Sequence, residues 1–266
     1  MAYLATISNE QTAELPSARF DGDIIVIERD EQIAAVCSDL SSHRVIGFDT
    51  ETRPSFKAGI TNKVALLQLS TPKRCYLIRL CRMKLHKEIL RILSNPNILK
   101  IGADVAGDIR SLHTLRNFTE RGFVDLQHIA PDWGIEEKSL RKISAIVLNE
   151  RVSKAQRLSN WEAATLTPQQ QMYAATDAWV CIKIYEKLLC SERVKSNNNE
   201  VKTPAVEDIK SKASEPKSSS KKPSQQRKQK RESKTYFATK RNDQQPKRYH
   251  GNRPYRKKNE NNEKQI

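Results

Sequence analysis

No apolar run in the 266-residue sequence approaches the roughly 18 residues that a membrane-spanning helix needs, so a membrane protein is not expected. No basic segment followed by an apolar one opens the chain, and secretion is not expected either. Cysteine is scarce and unclustered: Cys37, Cys75, Cys81, Cys181 and Cys190 are odd in number and form no Cys-x-x-Cys pair. A zinc site or a disulfide framework needs tighter grouping. The five are expected to be small core residues in a reducing compartment. That compartment is taken as the cytoplasm, with association with a nucleus or nucleoid compatible with a basic chain.

Leucine and tryptophan disappear altogether after Cys190. What replaces them is polar and basic, including Asn197-Asn198-Asn199 and Ser218-Ser219-Ser220-Lys221-Lys222. From Ser191 to Ile266 there are 22 Lys+Arg against 9 Asp+Glu, a net of +13 out of +16 for the chain. Residues 1–190 therefore carry only +3, and most of the basicity belongs to a tail. The hydrophobic share of 37% and the mean hydropathy of −0.69 describe a foldable part diluted by that tail. Such a segment cannot bury enough apolar surface to offset its ordering entropy, so residues 193–266 should be disordered. Its basic residues are interspersed with aromatics (Tyr236, Phe237, Tyr249, Tyr255), a composition suited to salt-dependent contact with nucleic acid. A purely solubilising or ribosome-associating tail is the alternative.

Residues 24–192 read as a mixed α/β domain preceded by an N-terminal extension, residues 1–23. Short β-branched runs at Ile24–Glu28, Arg44–Glu51, Lys63–Ser70, Cys75–Leu80 and Ile98–Ile101 predict strands. Helical periodicity predicts helices at Asp30–Leu40, His86–Leu93, Gly107–Leu115, Lys138–Leu148 and Thr167–Leu189. Thr167 at the N-cap and Pro168 at the first helical position give the last helix a strong start. It keeps Met172, Ala175, Trp179, Ile182 and Leu189 near one face. Strands in a run, then alternating with helices, imply an antiparallel meander with parallel additions, covered by helices.

Three acidic sites interrupt this frame. Val45–Phe48 is an apolar run that ends in Asp49-Thr50-Glu51. On a strand, i and i+2 share a face, so the two carboxylates project side by side, with Gly47 on that face leaving space. Two adjacent carboxylates are tolerated when solvated or neutralised by a cation, so a strand end fraying into water fits as well. Lys100–Gly102 runs through a turn into a helix with Asp108 in its first turn, where a carboxylate also complements the macrodipole. Tyr173 and Asp177 stand four apart on one helical face, which a surface pair would also satisfy. Ala174, Ala175 and Ala178 around them would let the helix approach another element closely.

Taken together, in this order and spacing, the three sites resemble the Asp-x-Glu, Asp and Tyr-x-x-x-Asp blocks of the DEDDy 3′–5′ exonucleases. The nearest likeness is to the ribonuclease D / Werner-syndrome exonuclease branch. Lys63–Ser70 resembles the second strand of that branch. So does Gln156–Glu162, leading through Leu166-Thr167-Pro168 to Tyr173. The resemblance spans about residues 24–190. It implies a ribonuclease-H-like α/β fold and metal-dependent hydrolysis from the 3′ end of DNA or RNA, with release of nucleoside 5′-monophosphates. The partner implied is a nucleic acid with a single-stranded 3′ end. Asp49, Glu51, Asp108 and Asp177 would be the ligands of two divalent cations, Mg²⁺ or Mn²⁺. Tyr173 would orient, or help deprotonate, the attacking water, with metal acidification dominating over a phenol of pKa near 10. Two departures stand out. Met172 occupies the position where some superfamily members carry His, which places the chain in the Tyr subclass. Asp104 stands where many relatives carry Asn, adding negative charge near the metals. The helicase and helical nucleic-acid-binding domains of the namesake proteins have no counterpart here, so their biological roles do not transfer.

Lys154, Arg157 and Trp161 precede the last helix, where cations and an aromatic suit phosphate contact and base stacking. A solvated basic loop with Trp161 packed in the core is the competing reading. Trp133 and Trp179 are assigned to packing. His43, His86, His113 and His128 are too far apart in sequence to suggest a ligand cluster. A catalytically silent nucleic-acid-binding module of the same fold is the rival to an enzyme, and four retained carboxylates argue against it.

Overall fold

Six strands form one sheet: β1 (Asp23–Ile27), β2 (Val45–Thr52), β3 (Val64–Ser70), β4 (Arg74–Ile78), β5 (Leu99–Gly102) and β6 (Phe123–Asp125). Their spatial order is β1-β4-β3-β2-β5-β6. β2, β3 and β4 make the antiparallel meander, and β1, β5 and β6 add parallel to it. The computed structural model describes residues 2–57, 59 and 61–194. The expected disorder of the basic tail lies outside these residues except for Arg193 and Val194.

The five expected strands match within two residues at each end. β6 was not anticipated, because three residues carry no periodicity. Every residue of β3 is buried, which explains an apolar run broken only by Gln68 and Ser70, with both sheet faces covered. The described residues form seven α-helices: α1 (Asn9–Glu14), α2 (Ile33–Ser41), α3 (Lys87–Leu93), α4 (Val105–His113), α5 (Leu126–Ile129), α6 (Leu140–Leu148) and α7 (Pro168–Leu189). The predicted helix at Asp30–Leu40 begins as a short 3₁₀ turn, Asp30–Gln32, before α2. No helix among the described residues is long and apolar enough to cross a membrane.

On one face, Ile46 and Phe48 of β2 pack in a cluster with Ile33, Val36 and Leu40 of α2, Ile89 of α3 and Leu112 of α4. α7 covers the other face. Its start is a capping box: Thr167 Oγ1 accepts from Gln170 N, and Gln170 Oε1 accepts from Thr167 N. The single apolar stripe expected for α7 is too narrow. Ala174 through Ala178 are all buried, because the sheet lies on one side and other segments on the other, while Leu189 is exposed.

The N-terminal segment packs against this assembly. Phe20 is fully buried, and its amide donates to Thr176 Oγ1 of α7 at 3.2 Å. Ala18 N donates to Arg151 O, and Arg151 N donates back to Pro16 O. The cysteines depart from expectation: Cys75 and Cys181 are buried, Cys37 is half-buried, but Cys81 and Cys190 are exposed. Apolar neighbours in sequence do not bury a residue that follows a strand end or closes a helix.

Candidate active site

β2 outruns its parallel neighbour. It pairs with β5 only over Val45–Gly47, whereas its pairing with β3 extends to Thr52. β5 stops at Gly102, where a side chain would meet Phe48 O at 2.8 Å, and the chain turns into α4. The last residues of β2, Asp49 to Glu51, thus border a crevice at the carboxyl end of the sheet, the usual position for a site in such sheets.

α7 closes that crevice from one side. Gly47 leaves no free space beside the carboxylates, contrary to expectation: a Cβ there would lie 1.9 Å from the Ala178 carbonyl oxygen. Gly47 and Ala178 instead let the α7 backbone sit directly on β2. The register brings Asp177 to Asp49 and Glu51, and the three offer carboxylate oxygens within 4.8 Å of one another. Asp108 arrives from the opposite face and is held beside the trio, its Oδ1 accepting from Thr50 Oγ1 at 2.5 Å. Thr50 points to that opposite face because it alternates with Asp49 and Glu51.

All four carboxyls are pushed up in pKa, and withdrawal from water is the leading cause for each. Asp49 lies well above the usual range, raised next by Asp177. Glu51 is raised to about 10, with Asp49, Asp177 and Asp108 adding to burial and Arg157 opposing them. Asp108 is raised to about 8 by burial and by Asp49, with Thr50 pulling the other way and Asp104 and Asp125 contributing to the rise. Asp177 is raised to about 7, its burial partly offset by hydrogen bonding from Tyr173. Tyr173 itself is pushed far above its normal value by burial and by Asp177, so its hydroxyl keeps its proton and acts as a donor.

This donor set fits hard divalent cations. It is all oxygen, its members repel one another, and Asp177 Oδ1 has no hydrogen-bond partner among the described residues. The extra charge expected from Asp104 is present: the residue adopts a left-handed conformation at the N-cap of α4, φ +63°, and raises Asp108. A third carboxylate, Asp125, shapes the same corner. Its Oδ2 accepts from Val105 N and its Oδ1 from Gln127 N, fixing the starts of both α4 and α5.

The segment before α7 divides its three candidates. Lys154 and Arg157 are exposed, and Arg157 is the cation that opposes the rise at Glu51. Trp161 is 0% exposed, its ring centroid 5.9 Å from that of Tyr173, so it cannot stack on a base. It forms the floor under Tyr173, and the expectation of base stacking is corrected. Trp133 is likewise buried and donates from Nε1 to Ser191 O. Trp179 is half-buried, with Phe20 at 5.6 Å and Lys183 over its ring.

Some supporting residues were not anticipated. Arg79 is fully buried, pairs with Glu28 at 3.2 Å, and donates to Ala163 O, pinning the Trp161 segment. Arg53 bridges to Glu162 at 3.2 Å from the β2 end of the crevice. A cavity of about 530 Å³ opens beside Tyr173 and Asp177 and runs along α7 to Ser17–Arg19, Val152 and Gln156. Isolated charges in apolar runs, such as Arg79 in Tyr76–Leu80, were the available signals.

A carboxylate-lined crevice lies on a six-stranded mixed sheet, and comparison with known proteins identifies the class of fold. The fold is that of Escherichia coli RNase D, with a TM-score of 0.58 and 22% identity over 63% of this chain and 44% of that one. The Aedes aegypti Nibbler EXO domain gives 0.57 at 23% identity over 64% of this chain and 90% of that one. It is the ribonuclease-H-like exonuclease fold.

The chain belongs to the 3′–5′ exonuclease domain family, whose model matches residues 24–191. Mouse bifunctional 3′–5′ exonuclease/ATP-dependent helicase WRN is 34% identical over 186 residues, 65% of this chain and 13% of the relative. Exonuclease 3′–5′ domain-containing protein 2 of Drosophila melanogaster is 34% identical over 174 residues, 62% of this chain and 30% of the relative. The chain thus spans less than a third of the length of these two relatives.

Proposed function

We propose that this domain hydrolyses phosphodiester bonds stepwise from the 3′ end of DNA or RNA and releases nucleoside 5′-monophosphates. The observation that carries this reading is the convergence of Asp49, Glu51 and Asp177, with Asp108 beside them, in a crevice where their mutual repulsion lacks a compensating protein charge of equal number. Asp49, Glu51, Asp108 and Asp177 would hold two divalent cations, Mg²⁺ or Mn²⁺. When bound, these supply the positive charge that stabilises the phosphate and the leaving 3′-oxygen and favour water as a nucleophile.

The residues of the chain do the rest. Tyr173, kept protonated and set on Trp161, orients the attacking water through its hydroxyl rather than removing a proton. The cavity beside Tyr173 and Asp177 receives the 3′-terminal nucleotide. Arg157 and Lys154, at the exposed rim, neutralise phosphates further along the strand.

The test uses 5′-labelled single strands with Mg²⁺ or Mn²⁺. The parent should shorten them one nucleotide at a time from the 3′ end, and Asp49→Ala should not, with the fold intact by circular dichroism. Equal shortening by parent and variant would sink the assignment. Binding without shortening by the parent would favour a silent nucleic-acid-binding module. Matched DNA and RNA strands in the same assay decide the substrate sugar.

A further inference from the structure

One side chain next to the carboxylates has no explanation in packing. Gln68 interrupts the apolar run of β3, is 0% exposed, and neither its Oε1 nor its Nε2 has a hydrogen-bond partner among the described residues. A buried carboxamide left in that state costs stability that an apolar residue of the same size would not. Its place in the sheet is specific: Gln68 is directly opposite Asp49 in the antiparallel β2–β3 pair. Opposed residues share a face, with Cβ atoms about 4.5–5.5 Å apart.

The other neighbours offer little. Leu66 and, across β4, Leu77 belong to one apolar cluster with Ala174, Ala175 and Ala178 of α7. Ser70, next on the same face of β3, already donates to Thr71 O at 2.9 Å. The polar group opposite Gln68 is therefore the Asp49 carboxyl. A carboxamide serves it in either protonation state: Nε2 donates to the carboxylate, and Oε1 accepts from the acid.

We propose that Gln68 is a positioning residue for Asp49: its Nε2, unpaired as the side chains stand, turns to donate to one carboxylate oxygen when a divalent cation draws on the other. The inference rests on the exonuclease reading and deepens it, adding a residue that holds a cation ligand without touching cation or substrate. Hydrogen-bonded partners of this kind set the orientation of ligands and the affinity of a metal site.

The test compares full-length parent, Gln68→Met and Gln68→Leu in two readouts: thermal unfolding with and without Mn²⁺, and nucleotide release at graded Mn²⁺. Without metal, both variants should unfold at or above the parent temperature, since two unpaired polar atoms are gone. Their Mn²⁺ midpoints, in both readouts, should rise by about 10- to 100-fold, while KM for the oligonucleotide at saturating Mn²⁺ stays unchanged. Midpoints within twofold of the parent would overturn the proposal while leaving the exonuclease reading intact, provided Asp49→Ala still abolishes release. Loss of metal-free stability in both variants, or failure of both to fold, would make Gln68 a packing residue and equally overturn it. A parent that shows neither a Mn²⁺-dependent shift nor Asp49-dependent release removes both readings together.

Discussion

The two faces of β2 are built from opposite materials. Ile46 and Phe48 meet large aliphatic side chains from α2, α3 and α4, a conventional core in which side chains keep the backbones apart. One residue along, Gly47 meets the main chain of Ala178, with the Ile182 side chain farther off, and strand and helix touch through their backbones. The first face supplies stability. The second brings Asp177 close enough to Asp49 and Glu51 for three carboxylates to share one space. Small residues here are the means by which two elements deliver charged groups to the same point.

That contrast can be broken most severely at the carboxylates. Asp49→Asn should cut nucleotide release on the order of 10³-fold or more, the scale of removing a group that acts mainly in the transition state. Its metal-free unfolding temperature should be no lower than the parent's; a drop would mean that the cluster supports the fold. Next come the two faces themselves. Leu40→Ala, in the aliphatic core, should cost about 2–5 kcal/mol by denaturant titration while activity per folded molecule is kept. Gly47→Ala should cost about 1–3 kcal/mol and, unlike Leu40→Ala, lower activity per folded molecule, because α7 must move off β2. Equal activity in the two variants would erase the distinction.

A smaller effect concerns pH. Asp177 and Asp108 are raised to about 7 and 8 in the fold, against about 4 in an unfolded chain. Between those values the folded state binds more protons than the unfolded one, so their contribution is present below pH 4 and lost as pH rises through 7 to 8. The metal-free parent should therefore fall progressively behind Asp49→Asn in unfolding temperature from pH 4.5 to 8, and saturating Mg²⁺ should close the gap. A gap that does not change with pH would contradict the linkage. The smallest effect is expected at the rim: Arg157→Ala should raise KM about two- to fivefold, the scale of an exposed charge contact of about 0.5–1 kcal/mol. The salt dependence of KM should weaken with it.

Much of this was legible beforehand. The five longer strands and the capped start of α7 follow from local signals, period-2 runs and Thr-Pro at a helix start, whereas the four carboxylates stood out as a set only through the resemblance of their order and spacing to the DEDDy exonucleases. Trp161 was not decidable, because a tryptophan in a basic segment suits a core and a stacking surface equally; the segment that buries it is fastened at Ala163 O by Arg79, just past the end of β4. Gln68 and Arg79 were visible as polar letters in apolar runs, but what faces them, Asp49 opposite Gln68 and Glu28 with Ala163 O at Arg79, comes from distant parts of the chain. The role of Gly47 was misjudged, since the sequence shows that a side chain is missing and not what takes its place.

By itself, the sequence determined which elements would carry the acidic residues, because propensity, capping and side-chain alternation act over a few residues. Only the tertiary structure decided that Asp108 reaches the crevice from the opposite face, tied to Thr50, and that the N-terminal segment joins the fold through Phe20. Those outcomes depend on where β5 ends beside β2 and how closely α7 settles on Gly47. Contacts between residues far apart in the chain, limited by hard-sphere contact, set both.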